Sequence, residues 1–189
     1  MLSQKELNKL EKGLYFNKKY LIGSGLGGYV YKINDKYVIK KLFSKWKYLK
    51  NEFETTILLS IYGISPKVIY HSNKNDKYKY YVMEKLDYTV YNMIKNKQFT
   101  EYHLGKLNNI FIKLSKTKYK HTNLHLGNIM WSNFHNDFRI IDWELYYITN
   151  NNNNKLYNNL IKRIRYLMNN EYTVYKILGY KIFKIKCLN

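Results

Sequence analysis

Alanine is absent from this chain, and cysteine and proline occur once each, as Cys187 and Pro66. A lone cysteine cannot close an internal disulfide, so nothing in the sequence calls for an oxidising compartment. Acidic residues are scarce: 13 Asp and Glu stand against 33 Lys and Arg, a formal charge of +20 over 189 residues. The missing alanine, with the heavy use of Asn, Lys, Ile and Tyr, is what an AT-rich codon supply imposes. That supply favours Asp and Glu codons too, so the lysine excess still signals a positive surface field. It points to acidic partners: nucleic acid, anionic lipid, nucleotides or an acidic protein. No apolar run approaches the roughly 18–20 residues of a membrane span. The opening residues, Met1 to Leu7, lack the apolar core of a signal peptide. The expectation is a soluble intracellular protein.

What is present is a globular composition, 46% hydrophobic and 17% aromatic, of a length that one domain accounts for. Leu2, Leu7, Leu10 and Leu14 recur among charges at the spacing of a short amphipathic helix, with Ser3 and Glu6 set to form a capping box. Gly23, Gly25 and Gly28 with Val30 then make G-x-G-x-x-G-x-V. Alone that pattern also fits dinucleotide-binding folds, where a helix must follow the last glycine. Here Tyr29-Val30-Tyr31-Lys32-Ile33 is β-branched and aromatic, Asn34-Asp35 offers a turn, and Lys36 to Leu42 reads as a returning strand. The prediction is a hairpin carrying a glycine loop that lets backbone amides approach phosphates. Lys40 lies on the returning strand, and Lys41 faces the other way. The plain alternative for Lys40 is a surface lysine.

Lys45 to Tyr62 carries Trp46, Leu49, Phe53, Ile57 and Leu58 at helical spacing, with Gly63 as its stop. Glu52 and Glu54 are its only carboxylates. Pro66 sits in the turn that follows, and Tyr80 to Leu86 reads as an apolar strand with a charged end. Tyr88 to Ile94 and Tyr102 to Tyr119 are helical patterns, the second with Leu104, Leu107, Phe111 and Leu114 on one face. The chain then reaches His121-Thr122-Asn123-Leu124-His125-Leu126-Gly127-Asn128 and, after a short apolar run, Ile141-Asp142-Trp143-Glu144. His121 and His125 could be half of a zinc site, but no acidic motif accompanies them and Leu126-Gly127 disfavours the helix that would align them.

Taken in order, residues 20–145 resemble the protein-kinase-like superfamily. The loop at 121–128 is similar to the H-x-D-x-H-x-x-N form of aminoglycoside, choline and lipopolysaccharide kinases, with Asn123 in place of the Asp. The compact length is closer to that of minimal atypical Ser/Thr protein kinases. The resemblance implies an α+β, minimal two-lobed fold: an antiparallel N-lobe over about 15–84, a hinge at 84–88 and a reduced, mainly helical C-lobe over 89–189. It implies ATP and Mg²⁺ as cofactors. Gly23, Gly25, Gly28, Val30, Lys40, Met83, Glu84 and Leu86 would contact the nucleotide, Met83 as gatekeeper and Glu84 to Leu86 through backbone groups. Asn128 and Asp142 would hold the metal. Lys40 would pair with a helix carboxylate, with Glu54 preferred on its E-x-x-I-L setting and Glu52 as the alternative. His121 would brace the loop, and His125 would stand near the transferred phosphate.

Asn keeps an acceptor oxygen but lacks the charge and basicity of Asp. The implied activity is therefore weakened or specialised phosphoryl transfer, with a catalytically inactive binding or scaffold module as the alternative reading. Beyond Glu144 no A-P-E signature appears. An Asn run leads into a basic helix over Leu156–Met168 with Leu160, Ile161, Ile164 and Leu167 as its apolar set. The tail from Tyr175 to Lys186 interleaves lysine with apolar residues, as a packed strand or as a surface for nucleic acid or membrane. A basic nucleic-acid-binding protein is the reading from a different class, and it rests on the charge of +20 and the 22 tyrosines.

Overall fold

The computed structural model describes residues 2–25, 27–43, 49–72, 79–143, 146–148 and 154–169. Trp46, Glu144, residues 149–153 of the Asn run and the interleaved tail lie outside the described residues.

The chain opens with α1 (Gln4–Glu11), whose Ser3 accepts from the Glu6 amide while the Glu6 side chain returns to the Ser3 amide, as the capping box requires. A five-stranded antiparallel sheet follows, built from β1 (Leu21–Ser24), β2 (Gly28–Lys32), β3 (Tyr37–Leu42), β4 (Val68–His71) and β5 (Tyr80–Glu84) in the order β1-β2-β3-β5-β4. Gly28 opens β2 because a Cβ there would lie 2.2 Å from the Lys41 carbonyl oxygen. Only glycine allows that approach of β2 to β3.

Strand alternation assigns each side chain to a face. Tyr31, Ile39, Tyr80 and Val82 form one face, which α1 and the turn after it cover with Leu10, Tyr15 and Phe16. Val38, Leu42, Tyr81 and Met83 form the other, with Lys40 between them by parity. That second face receives α2 (Leu49–Ile61), which joins β3 to β4.

The remaining described residues form a second, mainly helical core. It contains β6 (Tyr88–Thr89), α3 (Val90–Lys95), α4 (Glu101–Ser115), β7 (Tyr119–His121), β8 (Ile129–Ser132), β9 (Asp137–Ile140), β10 (Tyr146–Ile148) and α5 (Asn154–Asn169). The stripe Leu104, Leu107, Phe111 and Leu114 is buried as its spacing predicts, and Phe111 stacks on Tyr157 of α5. Leu160, Ile164 and Leu167 are buried from α5, and Ile161 packs at the margin. The Ile140 amide donates to the Ile64 carbonyl at 2.7 Å, which fastens β9 to the segment leaving α2.

The architecture is α+β, as expected. Some boundaries differ, each because a long-range pairing overrides local pattern. Tyr88 and Thr89 pair with Trp131 and Met130 instead of starting a helix, and Thr89 becomes the N-cap of α3. Tyr119 pairs with Ile148, so α4 ends at Ser115. No described helix is long and apolar enough to cross a membrane.

The two leucines of the opening helix and its turn separate cleanly. Leu10 is 1% exposed and Leu14 54%. Leu10→Ala is expected to lower unfolding free energy by about 2–5 kcal/mol. Leu14→Ala is expected to stay within about 0.5 kcal/mol, both read by denaturant titration.

Candidate functional site

Lys40 is the centre of the site. Its Nζ donates to Glu52 Oε1 of α2 at 2.5 Å and to Asp142 Oδ1 at 2.6 Å, bringing together residues 102 apart in the chain. Lys40 is 4% exposed and Glu52 fully buried. Burial works against the lysine's charge, and the Glu52 and Asp142 carboxylates outweigh it, so the ammonium is held well above its ordinary range. Two of its three N–H donors are used by these carboxylates, which leaves one.

The expected partner, Glu54, is exposed and makes no such pair; Glu52 does. The helix explains the correction. Its buried face is Glu52, Thr55, Thr56 and Leu59, spaced i, i+3, i+4, i+7, whereas Phe53, Ile57 and Leu58 are only half-buried. Polar residues therefore hold the inner face, with Thr56 Oγ1 donating back to the Glu52 carbonyl at 2.8 Å.

Sequence reasoning also missed Tyr81. It lies directly across from Lys40 in the β3–β5 pairing, and its hydroxyl donates to Glu52 Oε1 at 2.8 Å. Burial, then the nearby Glu52, push the phenol well above its ordinary range, so it stays a donor. The signal was the strand parity that Tyr81 shares with Met83, which becomes legible only once the register against β3 is known. Glu52 Oε2 is buried with no hydrogen-bond partner. The geometry thus spends all its donors on one carboxylate oxygen, the one nearest the cavity lysine.

A cavity of about 380 Å³ opens beside Lys40. Gly23, Gly25, Gly28, Val30, Met83, Glu84, Leu86, Asn128 and Asp142 all line it, so most of the residues singled out in the sequence meet in one place. Ile22, Val38, Met130 and Ile141 join Val30, Met83 and Leu86 as apolar walls. The Glu84 side chain is otherwise engaged: it accepts from the Lys67 amide at 3.1 Å and pairs with His135 Nε2 at 2.6 Å. Gly25 donates its amide to the Gly28 carbonyl at 3.0 Å, which closes the loop on itself. A Cβ at Gly25 would meet nothing within 4 Å, so the fold itself gives no reason for glycine there.

The loop from His121 to Asn128 is tied to the 141–142 turn. His121 Nε2 donates to the Ile141 carbonyl at 2.9 Å, and its Nδ1 accepts from the Asn123 amide at 3.1 Å. Both ring nitrogens are used, and the imidazole packs on buried Trp143 at 4.7 Å between centroids. His125 Nδ1 accepts from the Gly127 amide at 3.1 Å, which puts the proton of the neutral ring on Nε2. Among the described residues no three His, Cys, Asp or Glu side chains cluster as metal ligands would. The Asn128 amide nitrogen donates to the Asn123 carbonyl at 3.1 Å, so Oδ1 is the group it can offer a ligand. Asn123 and His125 lie outside the cavity lining, Asn123 exposed and His125 half-buried. Asp142 adopts φ +61°, a left-handed conformation that costs a non-glycine residue of order 1–3 kcal/mol and that clusters at functional sites.

His121 carries a pH signature. Burial pushes its pKa down to about 4, against 6.5 for an ordinary imidazole. Between these values the unfolded chain binds a proton that the native chain does not, so stability rises with pH. Lowering the pH from 6.5 to 4 is expected to remove about 3 kcal/mol of unfolding free energy. A His121→Gln variant should lose that part of the slope, as measured by denaturant unfolding at a series of pH values.

No protein-family model matches the chain, and no curated protein matches its sequence.

Proposed function

We propose that this α+β chain is a minimal two-lobed, kinase-like protein that binds ATP with Mg²⁺ in the cavity beside Lys40. Its phosphoryl transfer is then weakened or specialised by Asn123. The observation that carries the reading is the bridge from Lys40 to Glu52 and Asp142. A buried ion pair is weak evidence for stability, because well-packed apolar residues commonly do as well or better. A buried lysine held charged at the edge of a cavity is what binding an anion requires.

The residues present fit the nucleotide and metal. The apolar walls suit a planar base, and the open space at Gly25 is a cradle that a Cβ would fill. Mg²⁺ commonly binds through one or two protein oxygens together with substrate phosphates. Asn128 Oδ1 and the Asp142 carboxylate are such a pair, and Mg²⁺ there would neutralise phosphate charge. Lys40 would offer its remaining N–H to phosphate oxygens. His121 and Trp143 hold the loop and the turn in register, which is a positioning role.

Asn123 favours a second reading, a nucleotide-binding module without catalysis. Losing a general base costs about 10²- to 10⁴-fold in rate, and transfer that rests on positioning and charge neutralisation can survive such a loss. The charge of +20 suits an acidic protein or nucleic-acid partner in either case.

Calorimetric titration with ATP and Mg²⁺ tests the nucleotide site. Binding to the native chain, weakened at least tenfold in both Lys40→Ala and Asp142→Ala, is the expected result; no binding at any Mg²⁺ level overturns the reading. The glycines give a second check. Gly28→Ala should lower thermal stability, because its Cβ meets the Lys41 carbonyl, whereas Gly25→Ala should leave stability unchanged and weaken ATP binding.

A further inference from the structure

The loop from His121 to Asn128, which reaches the cavity through Gly127 and Asn128, offers no group placed to take a proton from an incoming hydroxyl. Asn123 has no basic side chain, and its backbone is tied on both sides, its N–H to His121 and its carbonyl to Asn128. His121 uses both ring nitrogens, on the Asn123 amide and the Ile141 carbonyl. His125 uses Nδ1 on the Gly127 amide, so its Nε2 carries hydrogen and can donate but not accept. Asp142 Oδ1 is bound to Lys40, and its other oxygen is the one that would hold Mg²⁺ in the site proposed above. Among the described residues the acceptor side of the site therefore has hydrogen-bond donors and amides where a base would be needed.

We infer that the acceptor this site takes is an anionic phosphate oxygen, which has no proton to lose. The inference rests on the nucleotide site proposed above and names the substrate class for it. In the transfer, the acceptor oxygen forms a bond to the terminal phosphorus of the nucleoside triphosphate. The bond from that phosphorus to the bridging oxygen breaks, and its electron pair leaves with the nucleoside diphosphate. No proton moves, and the product is a phosphoanhydride. A hydroxyl acceptor would instead have to release a proton in forming its ester, and nothing at Asn123 receives it.

Charge favours the same acceptor. A phosphate monoester carries close to two negative charges at neutral pH, its second pKa lying near about 6. An aspartate at position 123 would repel it, whereas the neutral amide does not, and the His125 Nε2–H presents a donor on the same loop. The charge of +20 raises the local concentration of such anions.

The test offers the full chain ATP, Mg²⁺ and either inorganic phosphate or a nucleoside monophosphate, in parallel with serine and threonine peptides, choline and an aminoglycoside. Phosphorus NMR separates anhydride from ester products. The native chain is expected to form anhydride and little ester. Asn123→Asp is expected to reverse the preference: transfer to hydroxyls rises on the order of 10²-fold as a base is restored, and transfer to phosphate falls about tenfold from like-charge repulsion. A native chain that binds ATP but forms ester faster than anhydride overturns the inference, and so does one that binds ATP and forms neither. Both leave the nucleotide reading standing, and ester formation would direct attention to a base outside the described residues, with Glu144 nearest in sequence. Failure to bind ATP removes both.

Discussion

One buried ammonium sets the constraints on this fold. Lys40 lies inside the protein at 4% exposure, where an unpaired charge would cost several kcal/mol. Its position can be held only if carboxylates reach it from elsewhere, and two do, from α2 and from the turn after β9. The identity of α2's buried face follows from this demand. A helix that packed on the sheet with its most apolar stripe would leave Lys40 without Glu52. Instead Glu52, Thr55 and Thr56 go inward, and Tyr81 adds a hydroxyl from the sheet. Asp142 meets Lys40 from a left-handed backbone conformation, a local cost located where Lys40 and the cavity meet.

Around that centre the second half of the chain acts as a frame for two short segments. His121 spans the loop and the turn with both of its nitrogens, and Trp143 donates to the Ile140 carbonyl at 2.9 Å while packing on the same imidazole. Asn128 is held by its amide nitrogen and by backbone bonds to His125 and Ile141. The donors and acceptors left facing the cavity are fixed before any ligand arrives. Such preorganisation is the condition under which electrostatic effects on a bound phosphate become large.

The sequence revealed those parts of the site whose spacing is local. The hairpin with its glycines, Lys40 within it, and the pair Asn128 and Asp142 could be read because each belongs to a short pattern with a mechanical reason. Glu52 could not, because the choice between it and Glu54 turns on which face of α2 is buried. Counting apolar residues pointed to a stripe that is only half-buried. Tyr81 needed the β3–β5 register, and β6, β7 and β10 are two or three residues long, with pairings that cross much of the chain. Gly28 was visible for a different reason from the one it serves: its hydrogen makes room for the Lys41 carbonyl in the sheet.

The proposed function makes Lys40, oriented by Glu52, the nucleotide-binding cation. It is tested most directly by titrating ATP with Mg²⁺ into Glu52→Gln and Glu54→Gln variants, with folding verified by circular dichroism. Glu52→Gln is expected to lose affinity by about tenfold or more, since a neutral amide no longer holds the ammonium. Glu54→Gln, altered at an exposed position two residues away, should bind as the native chain does. Equal affinity in the two folded variants, or a loss confined to Glu54→Gln, would contradict it.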